Sequence, residues 1–121
     1  MAARWVYTTG GKVLYRNYRG PKGGEVDLVC RDGNVLSFIE VKTRTSTDFG
    51  RPAAAVNLEK QALIVRGAMA YLRLLNRRDV PWRLDVMEIL ILPGQKPAVN
   101  WIRGAFNTEE MRRELRKKQN R

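Results

Sequence analysis

Glu25, Asp27, Glu40 and Lys42 stand inside, or at the ends of, two apolar runs, GEVDLVCRD and NVLSFIEVKTR. Strand side chains alternate, so Glu25 and Asp27 share one face of their strand, and Glu40 and Lys42 share one face of theirs. A tight Asp32-Gly33 loop, the favoured Asp-Gly hairpin connection, would set Arg31 opposite Asn34, Asp27 opposite Phe38 and Glu25 opposite Glu40. All four charges then meet on one face, with Asp27 diagonal to Glu40. A loop longer by one residue would separate them unless a bulge restored the register. Carboxylates opposed across strands repel, and burying one without a partner is costly. Either these acids sit at solvated strand ends beside Arg44 or Lys42, or a divalent cation offsets their repulsion with Lys42 next to it.

Composition narrows the chemistry. The chain has 121 residues, 44% of them hydrophobic, enough for one domain with one core. One cysteine, Cys30, and no histidine exclude a disulfide framework and leave almost no zinc chemistry, so a bound metal would be hard and oxygen-ligated. No apolar run is long enough for a membrane span or a signal peptide, which predicts a cytoplasmic protein without a membrane partner. With 23 Lys and Arg against 12 Asp and Glu, the net charge is +11. The first 24 residues carry Arg4, Lys12, Arg16, Arg19 and Lys22 and no acid. That balance is the footprint of a polyanion binder, with a basic, soluble surface or a ribosome-associated protein as the lesser alternative.

The elements that must position the charges follow from periodicity. Residues 3–8 read as the end of a helix stopped at Gly10-Gly11, KVLYRN as a strand, and NYRGPKGG as a loop. Strands are predicted over about 25–31 and 35–43, joined by the hairpin. After the polar loop TSTDFGRP, Leu58, Ala62, Val65, Met69, Leu72 and Leu75 recur at helical spacing behind the N-cap candidate Asn57. LDVMEILIL reads as a buried strand and AVNWIRG as a shorter one. The segment from Thr108 has acids first and bases last, as a helix dipole favours, but only Met111 and Leu115 as an apolar face, which predicts a frayed basic tail over 107–121 beside a single domain over 1–106.

An acid on one strand followed by Glu-x-Lys on the next resembles the PD-(D/E)xK nuclease superfamily of restriction endonucleases and archaeal Holliday-junction resolvases. More closely, RNYRGPKGGEVDLVCRDGNVLSFIEVKTR, FGRPAAAV, EKQ, and RLDVMEI followed by VNWIRGAF are similar to the YraN-like bacterial family, described as resolvase-like. The similarity runs from about Ala2 to Phe106. It implies an α/β, restriction-endonuclease-like fold with a central mixed sheet of four or five strands flanked by helices. It also implies a Mg²⁺-dependent endonuclease, with Mn²⁺ able to substitute, acting on branched or structured DNA. Carried onto these residues, the resemblance makes Asp27 and Glu40 the metal-binding carboxylates, the Val41 carbonyl a further ligand and Lys42 the motif lysine. Glu25 is a further ligand or a structural residue. Lys60 is either the polar helix residue that completes such a site or a solvated lysine. The family's first helix usually starts earlier and carries a glutamate; here it is shortened.

Arg16, Arg19, Lys22 and Arg44 are the candidate phosphate contacts. Trp5, Tyr18 and Trp101 are either base-stacking or core residues. Asp85 opens its strand beside Arg83, as an ion pair or a catalytic acid. Symmetric cutting of a four-way junction would call for a two-fold homodimer, although no stretch marks its interface. The alternative from another class is a catalytically silent nucleic-acid-binding module of the same fold.

Overall fold

The computed structural model describes residues 1–45, 56–77 and 79–120. In chain order the elements are α1 (Ala2–Thr8), β1 (Lys12–Arg19), β2 (Glu25–Asp32), β3 (Val35–Arg44), α2 (Leu58–Leu75), β4 (Trp82–Leu90), β5 (Ala98–Phe106) and α3 (Thr108–Gln119). The five strands form one sheet in the order β1-β2-β3-β4-β5. β3 and β4 are parallel and every other pair is antiparallel. A parallel neighbour cannot be reached by a tight turn, so α2 makes the crossover and lies on one face. This mixed five-stranded sheet with its three helices is an α/β architecture consistent with the restriction-endonuclease-like fold. The block FGRPAAAV has its first seven residues outside the described residues.

Two apolar layers sandwich the sheet. Val26, Val29, Phe38, Leu84 and Val86 pack against Ile64, Val65, Ala68 and Tyr71 of α2. On the opposite face Leu28, Cys30, Ile39, Met87 and Trp101 pack around Val6 of α1. Helix α2 begins where Asn57 Oδ1 accepts the Lys60 backbone N–H at 2.8 Å, and it ends at Asn76, whose φ of 54° is the left-handed cap conformation. The C-terminal segment is more ordered than its sparse apolar residues suggest. Asn107 caps α3, and Met111 is buried with Leu115 against the α2 core.

The hairpin register differs from the sequence expectation by one step of the loop. Asp32 pairs with Val35 and Leu28 with Ile39, so Gly33-Asn34 forms the turn and not Asp32-Gly33. Gly33 has φ 62° and Asn34 is not among the positive-φ residues, the pattern of a turn that needs glycine at its first central position. The slip moves each partner by two residues, which preserves the face of every side chain.

One contact fixes how closely α2 approaches β2. Gly24 has φ 86°, and a Cβ there would stand 2.6 Å from the Gly67 backbone nitrogen. A Cβ on Gly67 would in turn meet the Glu25 nitrogen at 3.0 Å. The helix therefore lies directly over the start of β2, at the level of Glu25. Gly24→Ala is expected to lose about 2 to 4 kcal/mol in denaturant unfolding, combining left-handed strain with a clash against backbone that cannot rotate away. An unchanged midpoint would show that α2 can ride higher over the sheet.

Candidate functional site

Glu40 lies toward the C-terminal end of β3, on the face that carries Leu36 and Phe38 toward α2. Continuing the hairpin register by one pair past Leu28↔Ile39 brings Asp27 opposite Glu40. There the ladder gives way, and Asp27 Oδ2 accepts the Val41 backbone N–H at 2.8 Å. On its other side Asp27 faces a second irregularity. The β1–β2 pairs step from Arg16↔Leu28 to Tyr18↔Val26, passing over Asn17, whose φ is 53°. Val26 and Val29 both belong to the α2-side layer while Leu28 and Cys30 belong to the other, so the alternation of β2 breaks at Asp27. Strand distortions of this kind re-aim a side chain.

Lys60 reaches the same place from the first turn of α2. Its Nζ is 2.7 Å from Glu25 Oε1 and 3.8 Å from Glu40 Oε1. The asparagine cap that starts α2 bonds the Lys60 backbone, so helix initiation and the position of this ammonium are one event. Glu25 is held below the usual carboxylate range by its hydrogen bond to Lys60 and by that residue's charge. Lys60 is raised in turn, chiefly by the same hydrogen bond.

Glu40 behaves oppositely. Its side chain is 12% exposed, and its Oε2 is buried with no hydrogen-bond partner among the described residues. Burial first, and then the charge of Asp27, push its carboxyl up to about 7, against the pull of Lys60 and Lys42. An ionised carboxylate here would be desolvated, repelled by Asp27 and incompletely paired, a condition that a cation relieves.

The residues fit a small hard cation of limited demands. Among the described residues no group of three His, Cys, Asp or Glu side chains is gathered to hold a metal. Glu25, a possible third acid, is engaged by Lys60. Two carboxylates, Asp27 and Glu40, remain, with the Val41 backbone beside them. Mg²⁺ characteristically uses one or two carboxylates and completes its shell with water and substrate phosphate.

The other sequence candidates are dispersed. Arg16, Arg19 and Lys22 are exposed on β1 and the loop after it. The Arg44 side chain is largely buried, and its Nε lies 3.3 Å from Glu88, so its charge is directed at an acid inside the fold. Tyr18 and Trp101 are core residues and Trp5 is partly exposed. Asp85 is on the opposite face from the site. It is fully buried and accepts from Ser37 Oγ, Arg83 Nε, Trp101 Nε1 and the Gly104 N–H. The LDV block therefore carries a structural polar centre, as its arginine two residues earlier suggested. The exposed rings of Tyr7 and Tyr15 were not singled out in the sequence, where nothing distinguishes a half-exposed tyrosine from a core one.

The sequence profile of the family described as "Uncharacterised protein family UPF0102" matches residues 1–89. A UPF0102 protein of Solibacter usitatus is 44% identical over 110 residues, covering 88% of this chain and 80% of its own. One from Nocardia farcinica is 38% identical, with 88% and 83% covered, and one from Geobacter sulfurreducens is 41% identical, with 88% and 82% covered.

Proposed function

The chain belongs to the UPF0102 family, and we propose that it is a metal-dependent nuclease that hydrolyses phosphodiester bonds in branched or otherwise structured DNA. The observation that carries this reading is the buried Oε2 of Glu40 beside Asp27, unpartnered among the described residues, in a site where Lys60 and Lys42 supply positive charge. A Mg²⁺ or Mn²⁺ ion bound there would lower the pKa of a water and neutralise charge on the phosphate, chemistry that requires no histidine.

The chain's own residues supply the rest. Asp27 and Glu40 would hold the ion, with the Val41 carbonyl as a further ligand. Hydrogen-bonded to Val41, Asp27 keeps one oxygen fixed while the other can turn to a ligand. Lys42 would stabilise charge as it develops on the phosphate oxygens. Glu25 anchors Lys60 and so sets how near that ammonium stands to Glu40. Exposed Arg16, Arg19 and Lys22 would hold flanking phosphates, giving affinity without sequence preference. The direct test is incubation with labelled four-way junction, flap, single-stranded and duplex DNA in Mg²⁺, Mn²⁺ and EDTA. Cleavage confined to the metal-containing reactions supports the proposal. Binding without cleavage under every condition would leave a silent nucleic-acid-binding module of the same fold.

Lys60 is a competing cation for Glu40. Lys60→Met, which keeps the length of the side chain and removes its charge, is expected to tighten Mn²⁺ binding about tenfold in calorimetry, since a unit charge a few ångströms away is worth on the order of 1 to 3 kcal/mol near a protein surface. Weaker Mn²⁺ binding would mean that Lys60 organises the carboxylates and does not oppose the ion.

A further inference from the structure

A second surface is built where α1 crosses the edge strand β1. Tyr7 is 52% exposed and Tyr15 49%, and Trp5 and Leu14 are each about two-fifths exposed. Scattered apolar residues on a surface need no explanation, but Tyr7, Leu14 and Tyr15 line two adjoining concavities. One, of about 450 Å³, is lined by Arg4, Tyr7, Thr8 and Arg16 among others. The second, of about 380 Å³, is lined by Tyr7, Val13, Leu14, Tyr15 and Arg16. Tyr7 and Arg16 belong to both, which makes the surface continuous. Their volumes fall in the range of small-ligand sites. Among the described residues neither Arg4 nor Arg16 has an acidic partner, and no acid occurs before Glu25.

We propose that this surface binds unpaired nucleotides, with Tyr7 and Tyr15 stacking on bases and Arg4 and Arg16 holding the phosphates between them. A base presents its flat face to a side chain only when it has left the duplex stack, so aromatic rings set among unpaired arginines select single-stranded nucleic acid. Charge decides against the other occupant, a second copy of this chain. A two-fold contact through the β1 edge would set the same patch against itself, arginine toward arginine, with no acid within it to relieve the repulsion. The surface also leads to the candidate site. The link is Tyr15, whose ring meets Tyr18 of the α2-side layer, the face that carries Glu40, whereas Arg16, paired with Leu28, faces the α1 side. On the nuclease reading, which this extends, the substrate class becomes DNA in which a single-stranded arm adjoins the bond that is cut.

The test is fluorescence anisotropy in EDTA, with a labelled oligothymidylate and a blunt duplex of equal length, so that no metal or cleavage is involved. Wild type should prefer the single strand. Tyr7→Ala and Tyr15→Ala should each weaken single-strand binding at least about fivefold and duplex binding by less than about twofold, as expected for loss of one stacked base. Arg4→Ala and Arg16→Ala should each flatten the dependence on salt by about 0.7 log unit per log unit for the single strand. Tyr15 also meets Tyr18 edge-on at 5.4 Å, so Tyr15→Phe, which keeps that ring contact, should bind as wild type. If Tyr7→Ala does not fold, Tyr7→Leu keeps an apolar side chain without the ring and should show the same loss. Equal affinity of wild type for the two probes, or tyrosine variants that bind like wild type, would overturn the proposal. So would a wild-type dimer in sedimentation that Tyr7→Ala converts to monomer while oligothymidylate binding is unchanged. If wild type cuts no DNA in Mg²⁺ or Mn²⁺ yet Tyr7→Ala loses single-strand affinity, the nuclease reading fails and this one stands.

Discussion

Glu40→Gln is expected to abolish metal-dependent cleavage, by about 10³-fold or more, while leaving DNA binding in EDTA unchanged. The substitution keeps the shape of the side chain and removes the charge that would hold the cation, whose stabilisation of the reacting phosphate is worth several kcal/mol. The same variant should be more stable than wild type at pH 8 without metal. The Glu40 carboxyl is raised from 4.5 to about 7, so the folded protein holds a proton there that the unfolded chain has released. Between those values stability falls as the pH rises: it is fully present below about 4.5 and lost as the pH passes about 7. A shift of that size corresponds to roughly 3 kcal/mol at most. Glutamine cannot ionise, so urea unfolding of Glu40→Gln should lack this component. In wild type, the apparent Mg²⁺ affinity should fall about tenfold per pH unit below 7, because the ion and the proton compete for one oxygen pair. A variant that cuts DNA at the wild-type rate would remove Glu40 from the mechanism. One that unfolds would instead assign the charge to an ion-pair network with Lys60.

Why these charges were legible before any coordinates is a matter of period. Strand side chains alternate with period two, so a hairpin register displaced by two residues leaves Asp27, Glu40 and Lys42 on the faces that their spacing assigns them. The turn itself is less legible, because Asp32-Gly33 and Gly33-Asn34 are both good loops in isolation and the choice depends on which residue takes positive φ. The helix was equally legible. Asn57 and the recurrence from Leu58 to Leu75 mark α2 closely, and hence put Lys60 in its first turn. What spacing could not reveal is long-range. The Lys60 contacts with Glu25 and Glu40 depend on how closely Gly67 lets the helix sit over Gly24. The break at Asp27 lies beside Asn17, a residue type that tolerates positive φ but whose use of it here no spacing announces. The C-terminal helix is hard to read for a similar reason. Two apolar residues cannot hold a free helix, but Met111 and Leu115 suffice when α2 offers a surface to receive them.

Asp85→Ala should be the most damaging single change to the fold, costing about 3 to 5 kcal/mol, as removal of one member of a buried ion pair typically does. Asp85 is 0% exposed, and both its oxygens receive Arg83 Nε at 2.9 and 3.0 Å. It also accepts from Trp101 Nε1 and the Gly104 N–H, each at 2.9 Å, and from Ser37 Oγ. Those donors come from β3, β4 and β5, so one carboxylate ties three strands at the face opposite the candidate site. Arg83 extends the network to Asp32 at the end of β2. Arg103 lies 4.0 Å over the Trp101 ring and bonds the same Asp32. Removing the carboxylate takes the buried partner from Arg83, leaving it Asp32, and leaves the indole and a backbone N–H without their acceptor, each a cost separate from the lost attraction. The melting temperature should fall by about 10 °C or more. Asp85→Asn, whose single amide oxygen can accept from Trp101 or from Gly104 but not from both, and which has no charge for Arg83, should lose less. Cleavage measured per folded molecule should be unaltered, since Asp85 is buried beneath the other face of the sheet from Glu40. An Asp85→Ala protein that melts like wild type and has lost its cleavage would reverse this assignment, placing the acid in the chemistry and leaving the three strands to be held together without it.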